Sequence, residues 1–138
     1  MEESLNQFLP GMSPEEAKAY SPLVLAFLGD AVYELHIRTM LVKHGNSRPN
    51  ALHHASSEIV KAQAQSEAMD FLQPVLTREE EEIYRRGRNA KSYTTAKNAT
   101  VGDYRRATGF EALIGYLYLT GQEERMLTLI RMGVEKNV

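Results

Sequence analysis

Apolar and polar positions along the chain alternate with a helical period almost throughout. "SPEEAKAY" supplies Ser13 as a cap, Pro14 at the first helical position and Glu16 to close a capping box. The Ser-Pro opening recurs at Ser21 and Pro22 and starts a long apolar helix expected to stop near His44-Gly45-Asn46. From about Pro49 to Leu72 an Ala-rich pattern through Leu52, Ala55, Ile59, Ala62 and Ala64 has no internal breaker and predicts one helix. Thr77 and Glu80 form another capping box, for a helix ending near Gly87. Arg88 to Val101 is poorly patterned and reads as a loop. "DYRRATGFEALIGYLYLTG" predicts a helix closed by Gly121, followed by an amphipathic helix from about Gln122 to Val134. No strand signal, internal repeat or linker is evident. The pattern predicts a single all-α domain over residues 1–138.

Two of these helices are apolar in nearly every direction, and each holds a carboxylate. On a wheel of about 100° per residue, Leu23, Phe27, Ile37 and Leu41 share the side of Asp30, while Leu25, Leu28, Val32 and Leu35 lie opposite. Such a helix is expected at the centre of a fold, buried on most faces, which would leave Asp30 with little water. Glu111 is likewise surrounded by Phe110, Leu113, Ile114, Leu117 and Leu119. Gly29 stands beside Asp30, and Gly115 lies one turn beyond Glu111. A glycine inside a helix costs about 1 kcal/mol relative to alanine, which close backbone packing would offset. If the two helices cross at these glycines, Asp30 and Glu111 meet. Converging carboxylates need a shared proton, an arginine or a hard divalent cation between them, and Mg²⁺ suits oxygen ligands best. The alternative is local pairing, with Asp30 capping a loop and Glu111 bound to Arg105 or Arg106.

Charge changes the picture more than composition does. The 138 residues are 43% hydrophobic and 25% charged, ordinary for a folded soluble domain. The absence of cysteine excludes disulfides, thiol catalysis and thiolate metal sites, and fits a reducing cytoplasm. The N-terminus lacks a secretory pattern, and Asp30, Glu34, His36 and Arg38 interrupt the longest apolar stretch, so no membrane span is expected. The net charge of −2 hides a basic segment in which Arg85, Arg86, Arg88, Lys91, Lys97, Arg105 and Arg106 face only Asp103. Such a surface is suited to phosphates, and Arg85, Arg86, Arg88, Lys91 and Lys97 are the candidate contacts. The run Glu79 to Glu82 reads as a solvated helix start, and adjacent His53 and His54 point different ways and make a poor metal pair.

"AFLGDAV" (Ala26 to Val32) resembles the E-F-L-G-D-[AS]-V signature of the ribonuclease III family, and "FEALIGYLYL" (Phe110 to Leu119) resembles its second acidic motif, D-x-x-E-A-L-I-G. The likeness covers essentially the whole chain. Family carboxylate positions fall here on Ala26, Leu23 and Thr108, leaving Asp30 and Glu111. With "RRGRNAKS", and with no double-stranded-RNA-binding domain expected after Val138, this reduced pattern is similar to the Mini-ribonuclease III group of that family. The resemblance implies an all-α endonuclease domain that dimerises along its signature helix and cuts double-stranded RNA. It implies Mg²⁺ held by Asp30 and Glu111. Glu34, one turn from Asp30, is a candidate ligand or outer-shell acceptor, the alternative being a structural partner for a dimer-interface arginine or histidine. The implied substrate is the precursor of large-subunit (23S) ribosomal RNA, with ribosomal-protein assistance an open question. The missing carboxylates keep a non-catalytic RNA-binding module as the alternative.

Overall fold

The computed structural model describes residues 2–90 and 100–135, so Lys91, Lys97 and most of the expected loop lie outside the described residues. The elements are α1 (Glu2–Asn6), α2 (Pro14–Lys18), α3 (Pro22–His44), α4 (Pro49–Val60), α5 (Ala62–Leu72), a 3₁₀ turn (Gln73–Val75), α6 (Arg78–Asn89), α7 (Val101–Leu119) and α8 (Glu123–Val134). No strand occurs among the described residues. The expected caps form. Ser13 and Thr77 close full capping boxes with Glu16 and Glu80, and Ser21 accepts from the Leu23 amide. α7 starts two residues ahead of expectation because the Thr100 hydroxyl accepts from the Asp103 amide. Gly121 adopts φ 73° just past its end, as its place in the sequence implied.

The single helix expected over Pro49–Leu72 is two. Lys61 stands between them in an extended conformation, φ −63° and ψ 154°. Neither glycine nor proline causes the break. α4 packs on α3, whereas α5 packs on α7 and α8, and one straight rod would leave one of those surfaces uncovered.

α7 is the central rod. From Ala107 to Leu117 all its residues except Glu111 are buried, enclosed by α3, α5, α6 and α8. α3 crosses it at the two glycines. A Cβ on Gly29 would lie 1.7 Å from the Glu111 carbonyl oxygen, and one on Gly115 would lie 2.0 Å from the Leu25 carbonyl oxygen. Only hydrogen fits at either position, which is why two mid-helix glycines are tolerated.

The symmetry expected between the two apolar helices fails. α3 buries Leu25, Ala26, Gly29, Val32, Tyr33 and Ile37 against α7, but Val24, Phe27, Ala31, Leu35 and Val42 form an exposed apolar strip. Phe27 is 80% exposed. Asp30 lies at the margin of that strip and is itself exposed, contrary to the expectation of a carboxylate with little water around it.

The acidic run at the start of α6 also departs from a simple solvated face. Glu80 is buried and accepts both Nε and Nη2 of Arg125, at 2.8 and 2.9 Å. Burial acts to raise its carboxyl, but Arg125 and the Thr77 cap outweigh that and hold it below the ordinary range. Glu79 accepts from the Tyr116 hydroxyl and pairs with Lys18 at 3.3 Å.

Candidate active site

The α3–α7 crossing determines the site. Because the backbones touch at Gly29 and Gly115, the neighbouring side chains Asp30 and Glu111 come within hydrogen-bonding reach of one another. Glu111 is half-buried, and burial together with the Asp30 charge pushes its carboxyl up to about 8. The amide of Gln65 opposes that rise by donating from Nε2 to Oε2 of Glu111 at 3.1 Å. Tyr33 closes the inner side. Its ring meets Phe110 edge-on, with centroids 4.9 Å apart, and burial plus the Glu111 charge raises its hydroxyl far above the ordinary range.

Neither arginine weighed as an alternative partner pairs with Glu111. Arg106 donates to Asp70 at 2.7 Å and to Ser66 at 3.2 Å, while Arg105 is exposed. Without a cation the pair is relieved by a proton on Glu111. The donor set is oxygen only, one carboxylate open to solvent and one partly desolvated, and it fits a hard divalent ion that keeps several waters. Among the described residues, no third acidic or imidazole group completes a cluster able to hold a metal. Ala26 is buried, and Thr108 donates its hydroxyl to the Tyr104 carbonyl at 3.0 Å, so neither family position supplies a ligand.

The other sequence candidates are scattered. Glu34 accepts from Arg38 at 2.9 Å, one turn along the same helix α3. Arg85 is exposed and lies 3.9 Å from Glu81. Arg88 stacks over Tyr84, 5.7 Å from the ring centroid, and donates to Asn89. Arg86 donates to the carbonyls of Lys18 and Tyr20 at 3.2 and 3.3 Å, tying the end of α2 to α6. His53 and His54 are exposed and separate from the carboxylates. Gln65 was missed by sequence reasoning. The available signal was a polar residue on the face of α5 that also carries Ala68, Met69 and Leu72.

The geometry agrees with what the chain is similar to. A family model described as Ribonuclease III domain matches residues 23–122. A Mini-ribonuclease 3 of Thermoanaerobacter sp. (strain X514) is 48% identical over 98% of this chain and 97% of its own length. Mini-ribonuclease 3 of Enterococcus faecalis is 50% identical over 86% of this chain and 92% of its own. The crystal structure of protein FN1578 from Fusobacterium nucleatum superposes with a TM-score of 0.78 at 35% identity, covering 87% of this chain and 96% of that one. No described helix is long and apolar enough to cross a membrane. The all-α architecture, the two glycines at the helix crossing and the paired carboxylates are thus those of a chain that belongs to the ribonuclease III family, in its Mini-ribonuclease 3 group.

Proposed function

We propose that this endoribonuclease hydrolyses double-stranded RNA with Mg²⁺ held by Asp30 and Glu111, and that its substrate is the precursor of 23S ribosomal RNA. The observation that carries the reading is the meeting of the two carboxylates at the glycine crossing, with Glu111 raised to about 8 where no cation balances Asp30. Bound there, Mg²⁺ supplies charge neutralisation at the phosphate and activation of water. The chain's own part is to set two oxygen donors side by side: Asp30 at the solvent edge, where a duplex backbone can reach it, and Glu111 behind it. The ribosomal substrate rests on the resemblance to the Mini-ribonuclease 3 group, and ribosomal-protein assistance is the corresponding partner reading.

The working form is a homodimer formed along the exposed strip of α3, whose Val24, Phe27, Leu35 and Val42 are otherwise left in water. A twofold partner would bring a second copy of the site to the other strand. Arg85 and Arg88, with Lys91 and Lys97, contact phosphates. Arg86 contributes only through N–H groups not already donating to Lys18 and Tyr20. Binding of this kind reads A-form shape rather than sequence and weakens steeply with salt.

The test compares wild type, Asp30→Asn and Glu111→Gln on a duplex precursor-rRNA fragment with and without Mg²⁺. Loss of cleavage in both variants, with binding retained, supports the reading. Binding without Mg²⁺-dependent cleavage by the wild type would restore the non-catalytic module.

A further inference from the structure

Gln65 is 2% exposed, a polar side chain on the apolar face of α5. Burying an amide is tolerated only where its hydrogen bonds are replaced. Both N–H groups of Nε2 are used: one donates to the Val60 carbonyl at 2.7 Å, the other to Glu111 Oε2 at 3.1 Å. The Val60 carbonyl needs a donor because α4 ends there and Lys61 turns the chain extended. A carbonyl can only accept, so Val60 fixes the orientation of the amide: Nε2, and not Oε1, must face the site. The break between α4 and α5 is thereby tied directly to the Glu111 side chain.

Folding alone does not explain a glutamine here. Its Oε1 is buried and meets no hydrogen-bond donor. An unmatched buried acceptor costs about 1–3 kcal/mol, which a leucine of similar size would avoid. A lysine or arginine would hold Glu111 more strongly, but would put a positive charge where a cation must sit. An amide restrains the carboxylate and adds no charge.

Building on the metal-site reading above, we infer that Gln65 is a positioning residue: its amide, anchored on the Val60 carbonyl at the helix break, holds one oxygen of Glu111 in place and leaves the other for the cation. Gln65 touches neither metal nor RNA and acts through Glu111 alone. Partners of this kind typically change metal affinity by about 10–100-fold when removed.

The test uses the full chain with Gln65→Leu and Gln65→Met. Mn²⁺ binding to RNA-free protein is read from loss of the free-ion paramagnetic resonance signal, and the Mg²⁺ concentration giving half-maximal single-turnover cleavage is read on a duplex. Both midpoints are read at a temperature where urea denaturation shows each variant fully folded without metal, because a reversibly unfolded fraction would raise them by itself. Both variants should need about 10–100-fold more metal in both measurements, with KM for RNA unchanged. Unchanged metal midpoints in both variants, whatever their melting temperatures, would overturn the inference and make Gln65 only a cap for the helix break. Asp30→Asn and Glu111→Gln are run alongside. If they lose cleavage while the Gln65 variants keep wild-type midpoints, this inference alone fails; if they cleave normally, the site assignment fails with it.

Discussion

Helices α3 and α7 have nearly the same sequence character and opposite surroundings. Both are apolar around the wheel, both carry a glycine at their mutual crossing, and each contributes one carboxylate. α7 is enclosed by its own chain, so Glu111 is half-buried, hydrogen-bonded to Gln65 and raised to about 8. α3 is covered on one side only, so Asp30 is open to solvent beside an unburied strip. An all-apolar helix says that each face must be covered, not that the same chain covers it. In the proposed dimer a second copy covers the open face of α3, and that difference in covering is what leaves one carboxylate exposed and the other half-buried.

The same substitution placed in each helix is the strongest way to break the comparison. Leu113→Asp puts an unpaired charge into the fully buried centre of α7 and should cost more than about 4 kcal/mol, leaving little folded protein. Phe27→Asp, on the exposed strip, should change monomer stability by only about 0.5 kcal/mol while abolishing self-association and cleavage. Urea denaturation and sedimentation read the two effects. A Phe27→Asp protein that still sediments as wild-type dimer would remove the role assigned to α3. Next in size is Gly115→Ala. Its methyl group meets the Leu25 carbonyl and must push the helices apart, at a cost of about 1–3 kcal/mol. The same displacement separates Asp30 from Glu111, so cleavage should fall further than stability does. Equal losses in both would uncouple the crossing from the site.

The half-buried carboxylate also predicts a pH dependence. Below the ordinary value of 4.5 Glu111 is protonated in both folded and unfolded chains; between 4.5 and about 8 only the folded chain keeps the proton. Its contribution to stability is therefore fully present below 4.5, is lost as pH rises toward about 8, and is level above that. In metal-free buffer Glu111→Gln should be more stable than wild type at pH 8, and the gap should close toward pH 4.5. Parallel urea midpoints for the two proteins across that range would contradict it. Because the cation displaces the proton, metal affinity should rise with pH over the same window.

The caps, the helix crossing and the meeting of the carboxylates were legible because each rests on residues near in sequence or on a glycine with no local reason to be there. Ser13, Thr77 and Gly121 act within a few residues, and Gly29 with Gly115 identified the contact. The break at Lys61 was not legible, since neither neighbour disfavours helix and only the separate packing of α4 on α3 and of α5 on α7 and α8 accompanies it. Gln65 was hidden for the same reason: its partner Val60 carbonyl becomes available only once that break exists. The environment of Asp30 was misjudged because a wheel reports apolarity without saying who covers it. The basic segment did not disclose the fate of Arg86, whose acceptors are backbone carbonyls more than sixty residues away.

The smallest effect concerns Glu34, one turn from Asp30 and on the open side of α3. Its pairing with Arg38 at 2.9 Å is an i,i+4 bridge between partly exposed groups, and such pairs contribute about 0.3–0.5 kcal/mol. Glu34→Gln should lower stability by no more than that and leave the half-saturating Mg²⁺ concentration where it is in wild type. An outer-shell acceptor behaves differently, because losing its charge weakens the hold on metal-coordinated water and raises the metal requirement about tenfold or more. A shift of that size would move Glu34 into the metal centre and make α3 the donor of two of its three carboxylates. An unchanged midpoint would leave each helix with one, and the division of labour between them intact.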